Sequence, residues 1–187
     1  TPILSALADW RSRVYVIEQL KDGLYAAMAV FFTDLPEEAM IAVGELMTYI
    51  CYAVVESRGG KWRGRVNWYI SDNKNTVSWL RTRYSKHMLV QFLLRMLGLS
   101  EVAGGYETYA GYIRTYRNTL PDDMTREEWR RATSDLEEQG FTRISIGKAW
   151  SHYLVELEKQ FKANRGALYN FGDSDEDSQL AKQLAVR

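Results

Sequence analysis

Val66-Asn67-Trp68-Tyr69-Ile70-Ser71-Asp72-Asn73 is the stretch whose reading decides the fold. It predicts a buried strand that delivers a carboxylate, Asp72, at its end, followed by a short helix from Asn75 to Leu80. Acids at strand ends in an α/β sheet are often catalytic, because ligands gather at strand edges and loops. Whether Asp72 belongs to a set depends on what the rest of the chain supplies.

The bulk numbers frame that question. A chain of 187 residues is long enough for one domain with a real core, and 46% hydrophobic and 13% aromatic content suit a globular protein. The formal net charge of +0 points to no partner, so nucleic-acid affinity must come from a local patch. The single cysteine, Cys51, excludes an intrachain disulfide, fits a reducing compartment and lies in an apolar helical run, where a buried small hydrophobe is expected. The location expected is intracellular, in cytoplasm or nucleus. No apolar run is expected to approach the roughly 20 residues of a membrane span, so no membrane partner is expected. Thr1-Pro2-Ile3-Leu4 lacks a signal-peptide layout and an initiator Met, as in a segment cut from a longer polypeptide or a processed terminus.

Working outward, Arg13 to Leu20 alternates and is rich in Val, Ile and Tyr, which predicts a strand. Lys21-Asp22-Gly23 is a turn signal, and Leu24 to Phe32 a second strand completing a hairpin. Pro36 sits in a loop, and Met40 to Val43 fits a short third strand. From Gly44 the period lengthens, with Leu46, Ile50 and Val54 on one helical face ended by Gly59-Gly60. Beyond Asp72, Ser85 can cap a helix carrying Met88, Leu89, Phe92, Leu93 and Met96 that Gly98 closes. Thr108 to Tyr116 reads as a fifth strand, Pro121 opens a helix to about Glu138, and Gly140 breaks it before another from about Ser145 to Ala163. Residues 172–178 are acidic and polar.

Three acids stand at telling points. Glu45 opens the first helix in Val43-Gly44-Glu45-Leu46, Asp72 ends the fourth strand, and Asp122 begins the helix after the fifth in Asn118-Thr119-Leu120-Pro121-Asp122-Asp123-Met124-Thr125-Arg126. With these in this order, the chain from about Arg13 to Arg126 resembles the ribonuclease H domain of retroelement reverse transcriptases. There a Glu-Leu pair opens the first helix and Ser-Asp-Asn ends the fourth strand. An Asn-x-x-Ala-Asp-x-Leu-Ser-Arg pattern introduces the last helix; here Asn118, Asp122 and Arg126 match it, with Pro121, Met124 and Thr125 as replacements.

The resemblance implies an α/β, ribonuclease H-like fold: a mixed five-stranded sheet, three antiparallel strands then two parallel, with flanking helices. It divides the chain into an upstream connection (1–12), the ribonuclease H-like domain (13–139), a C-terminal helical extension (140–171) and an acidic tail expected to be disordered (172–187). It implies cleavage of the RNA strand of RNA–DNA hybrids, within a polyprotein whose polymerase region would be a further partner. Two Mg²⁺ (or Mn²⁺) ions about 3.5–4 Å apart would activate water and neutralise the leaving oxygen, and such hard ions take carboxylate ligands from separate elements.

The family's first acid is an Asp in the first strand. Here Glu18 takes that place, one methylene longer, with Asp22 and Asp9 as alternatives, and a misplacement of about 1 Å can cost on the order of 10²-fold in rate. The implied catalytic and metal-binding set is therefore Glu18, Glu45, Asp72 and Asp122. The departure at Glu18 also supports another reading, a catalytically decayed domain that binds nucleic acid or acts as a scaffold. A transposase or integrase core shares the layout but usually places its last acid as a Glu inside a helix.

Local charge supplies the second signal. Arg58, Lys61, Arg63 and Arg65 precede the Asp72 strand, and Arg81, Arg83 and Lys86 follow its helix, with Trp62, Trp79 and Tyr84 interleaved. Together with Asn73 these suit the backbone of a hybrid duplex, recognised by A-form shape. Arg114 and Arg117 can extend the patch. His87 and His152 have no partners at metal-ligand spacing and are expected to be structural.

Overall fold

The structure, a computed structural model, describes residues 3–20, 37–114 and 129–149, with 151, 152, 155 and 159. Its first element is a hairpin of β1 (Ile3–Asp9) and β2 (Val14–Leu20), antiparallel with Ser5 opposite Glu18 and Asp9 opposite Val14. The turn is closed by Asp9, whose Oδ1 accepts the backbone N–H groups of Arg11 (2.9 Å) and Ser12 (3.1 Å), an Asx turn. β1 thus occupies the stretch expected as an upstream connection. Its Ser5, Ala6 and Ala8 have weak strand propensity, which hid it from a pattern-based reading.

The hairpin has two faces. Leu7, Val14 and Val16 pack toward α1 (Glu37–Ser57), while Ala6, Ala8, Tyr15 and Ile17 are covered by Ala132 and Leu136 of α4 (Trp129–Glu138) and by Phe141. β5 (Thr142–Arg143) follows α4 and pairs in parallel with the start of β2.

α1 is the core helix. Val43, Leu46, Met47, Ile50, Cys51 and Val54 are all buried, and apolar residues surround most of its circumference. Met40 to Val43, expected as a third strand, are its first turns: four apolar residues cannot separate helix from strand, and the burial of residues 39, 40, 42, 43, 46 and 47 is helical. The stretch Ala39–Gly60 is also long and apolar enough to cross a membrane, contrary to the sequence-based expectation; 78% of its apolar window is buried inside the protein, as in a core helix.

The second sheet is parallel, β3 (Val66–Ser71) with β4 (Glu107–Tyr112), joined through α2 (Lys74–Thr82) and α3 (Met88–Gly104). α3 runs past Gly98, whose cost inside a helix is about 1 kcal/mol, and stops at Gly105 in the left-handed conformation at φ 67°. The 85–87 turn, with Ser85 accepting the His87 N–H, precedes it, and His87 holds the N-cap position.

Among the described residues the strands therefore form a mixed three-stranded sheet, β1-β2-β5, and a separate parallel pair, β3-β4. The expected single five-stranded sheet is not what they make. Side chains rather than a backbone ladder join the end of β1 to the start of β3, through Arg65 and Asp9. The strand expected over 24–32, the helix start at Pro121, and Asp22, Arg117 and Asp122 lie outside the described residues.

Candidate functional site

α1 runs antiparallel to β3. At one end its Tyr49 hydroxyl meets Thr108 Oγ1 at 2.5 Å and accepts from Asn67 Nδ2 at 3.4 Å, at the second residues of β4 and β3. At the other, Thr76 of α2 donates to the Ala42 carbonyl at 3.3 Å, just beyond the end of β3. Glu45 lies between these contacts, one turn before Tyr49. Burial pushes the Tyr69 phenol far up, and the Glu45 carboxylate and, less strongly, Asp72 push it further.

Asp72 occupies the bend after β3 and is half-buried. Its neighbours set that bend. Ser71 Oγ accepts the Asn73 N–H at 3.0 Å, and Asn73 Oδ1 accepts the N–H groups of Asn75 (3.0 Å) and Thr76 (3.3 Å), capping α2. Asn73, expected to touch nucleic acid, thus has its side-chain oxygen committed to the cap.

Glu18 is held elsewhere. Its Oε1 accepts the Ile146 N–H at 3.0 Å and the Ser145 hydroxyl at 3.5 Å, tying β2 to the start of the helical residues at 147–149. Its cross-strand partner Ser5 bonds to Gly44 and Thr48 of α1; burial raises the Cys51 thiol well above its ordinary value, and Glu18 adds to that. Asp9, the remote alternative, is at the far end of α1, receiving hydrogen bonds from Tyr52 and Arg65. Among the described residues no three His, Cys, Asp or Glu side chains gather as a metal-binding group. Glu45, one turn on from Ala42, and Asp72, just before α2, each offer the hard oxygen donors that Mg²⁺ or Mn²⁺ takes.

The basic residues divide into two groups. Arg65 pairs with Asp9 at 2.6 Å, donates to Ser12 and Asn67, and lies 4.5 Å over the Trp62 ring. Arg83 forms a two-pronged pair with Glu101 (2.5 and 3.0 Å), and Arg81 donates to the Ala110 carbonyl at 3.0 Å. These three serve the fold. Arg58 is half-buried, while Lys61, Arg63 and Lys86 are exposed. Lys61 and Arg63 belong to the turn that Gly64 N–H fastens to the Gly105 carbonyl at 2.7 Å, at the end of β3 opposite Asp72. Trp62 and Trp79 are core residues rather than surface ones; only Tyr84 of the expected aromatics is exposed.

β3 itself departs most from expectation. Val66, Trp68 and Ile70 are exposed, and only Asn67 and Ser71 are fully buried. A continuous apolar run predicts a strand covered on both faces, but here the helices cover one. Trp68 and Tyr109, directly paired across the strands, are therefore surface residues that the sequence-based site omits. The signal was the alternation of Asn67, Tyr69 and Ser71 with the apolar row.

Comparison with protein-family models, curated proteins and solved structures finds no match for this chain.

Proposed function

We propose that this chain is a ribonuclease H-like domain of a retroelement polyprotein that engages RNA–DNA hybrids and cleaves the RNA strand with divalent metal. The observation that carries this reading is the shared placement of Glu45 and Asp72. The Thr76–Ala42 hydrogen bond sets the turn of α1 just before Glu45 against the start of α2, which Asp72 precedes, at the carboxyl end of a parallel strand, where ligands of α/β sheets collect.

In this reading Glu45 and Asp72, with Asp122, hold Mg²⁺ or Mn²⁺, which when bound activates water and neutralises the leaving oxygen. Glu18 would complete the set through Oε2 or by turning Oε1 away from the Ile146 amide. Lys61, Arg63, Arg58 and Lys86 contact the duplex backbone, whereas Arg65, Arg81 and Arg83 support it through the fold. The test is cleavage of an end-labelled hybrid with Mg²⁺. Loss of cleavage by Asp72→Asn supports the proposal; equal cleavage by both proteins, or by neither, overturns it.

One observation favours a second reading. The Glu18 carboxylate is engaged as a cap at residues 145–146, as expected if the domain has lost catalysis and persists as a nucleic-acid-binding module. Metal-independent hybrid binding without cleavage would establish that reading instead.

A further inference from the structure

We infer that the outer face of the β3–β4 sheet is a stacking platform for single-stranded nucleic acid, centred on Trp68 and Tyr109. The two sheets are covered unequally. α4 packs on the outer face of the β1–β2 hairpin, but the outer rows of the parallel pair stay open: Trp68 is 68% exposed, Tyr109 48%, Ile70 49% and Val66 44%. The Trp68 and Tyr109 rings stand side by side, with centroids 5.5 Å apart and planes inclined by 32°. Gly111 lets Ile70 lie across the strand beside them; a Cβ there would meet Ile70 Cδ1 at 2.8 Å.

Size and charge select the occupant. Two strands of six residues, about 4.8 Å apart, offer a footprint of roughly 10 by 20 Å, far below the roughly 800 Å² per partner of a stable protein interface. Stacking needs much less area, because each base on an aromatic ring contributes on its own and every base has a π-face. Exposed cations stand at both ends of the strands, Lys61 and Arg63 before β3 and Arg114 beyond β4, while Lys74 lies 5.6 Å over Tyr112, which pairs with the buried Ser71 at the strand end. They suit a phosphate backbone running along the strands. Glu107 is the one acid in these rows and accepts the Tyr109 hydroxyl at 3.1 Å. The inference extends the nuclease reading, giving the protein a hold on the unpaired strand beside a hybrid, but it does not require cleavage.

The experiment uses the full chain and fluorescein-labelled oligouridylate and oligothymidylate of about ten nucleotides, followed by anisotropy. Trp68→Ala and Tyr109→Ala should each weaken binding about 5-fold or more. Trp68→Phe should stay close to wild type, Glu107→Gln should bind more tightly, and Asp72→Asn should bind unchanged, which separates this site from the nuclease proposal. Both aromatic side chains are exposed, so the substitutions leave folding intact, as circular dichroism can verify. Wild-type binding by Trp68→Ala, or no binding of either probe by the native chain, overturns the inference. So does self-association in sedimentation that Trp68→Ala abolishes without affecting oligonucleotide binding, which would make the face a protein interface.

Discussion

The Arg65 guanidinium meets the Asp9 carboxylate at 2.6 Å, linking the residue before β3 to the last residue of β1. Both side chains are nearly buried, 12% and 10% exposed. Neither charge is left bare: Asp9 also accepts from Tyr52, Ser12 and Arg11, and Arg65 also donates to Ser12 and Asn67. A fully satisfied polar network of this kind fixes geometry, because any alternative packing would strand a buried charge.

Removing one partner should therefore cost more than removing both. Arg65→Met or Asp9→Asn is expected to destabilise by about 3 kcal/mol, and the double variant by clearly less than the sum, in urea unfolding. Acid should reveal the same network. Burial alone would raise the Asp9 pKa, but the Tyr52 hydroxyl, the Ser12 amide and Arg65 outweigh it and hold it below 3.8. A depressed folded value means stability is present above the unfolded pKa of about 3.9 and drains as pH falls through the folded one. Asp9→Asn should flatten that acid limb.

Alkali should act through Tyr49. Burial pushes its phenol up to about 12, against the opposing hydrogen bonds of Thr108 and Asn67. The folded protein thus favours the neutral phenol, and this contribution holds below the unfolded pKa of about 10 and is lost as pH climbs toward the folded value. Tyr49→Phe should cost about 1–3 kcal/mol at neutral pH by leaving buried polar partners short of a bond. It should also show a shallower loss of stability between those two pH values.

How much of this was legible in the sequence follows from which residues act locally. The β2 alternation, the helix after Asp72 and the burial of Cys51 depend on periodicity and were readable. β1 was not, because its pairing rests on the Asp9 turn and on long-range contact, with Ser5 donating to Gly44 O and accepting from Thr48. Glu45 was expected to open a helix but lies in the third turn of α1, which begins at Glu37, because the apolar residues before it continue the helical burial pattern; Asp72 does follow the end of its strand. The commitments of Glu18 to Ile146 and of Arg83 to Glu101 span 128 and 18 residues, and no local pattern announces them.

Asn73 gives a test of how the Asp72 bend is held. Asn73→Ala removes the acceptor for two amides at the start of α2 and should cost about 1 kcal/mol, whereas Asn73→Asp should retain the cap. Under the nuclease proposal Asn73→Ala should lower kcat for hybrid cleavage with little change in KM, because the side chain positions Asp72 rather than substrate. A raised KM at constant kcat would instead return Asn73 to the duplex interface.

Glu18 provides the sharpest discrimination, since one carboxylate faces both a structural and a catalytic demand. In the metal-free chain the Ile146 amide donates to Glu18, so hydrogen exchange there should be slow, and Glu18→Ala should accelerate it. If Glu18 swings to join Glu45 and Asp72 on metal, the turn of its carboxylate lengthens the Oε1 bond to that amide. Saturating Mg²⁺ is then expected to speed exchange at Ile146 in the native chain but not in Asp72→Asn, where the metal site is lost. Glu18→Ala should lower hybrid cleavage on the order of 10²-fold, the penalty for disturbing a positioned group. Exchange at Ile146 indifferent to Mg²⁺, with hybrid bound but not cleaved and Glu18→Ala binding it equally well, would identify Glu18 as a cap alone and the domain as a binding module that has lost catalysis.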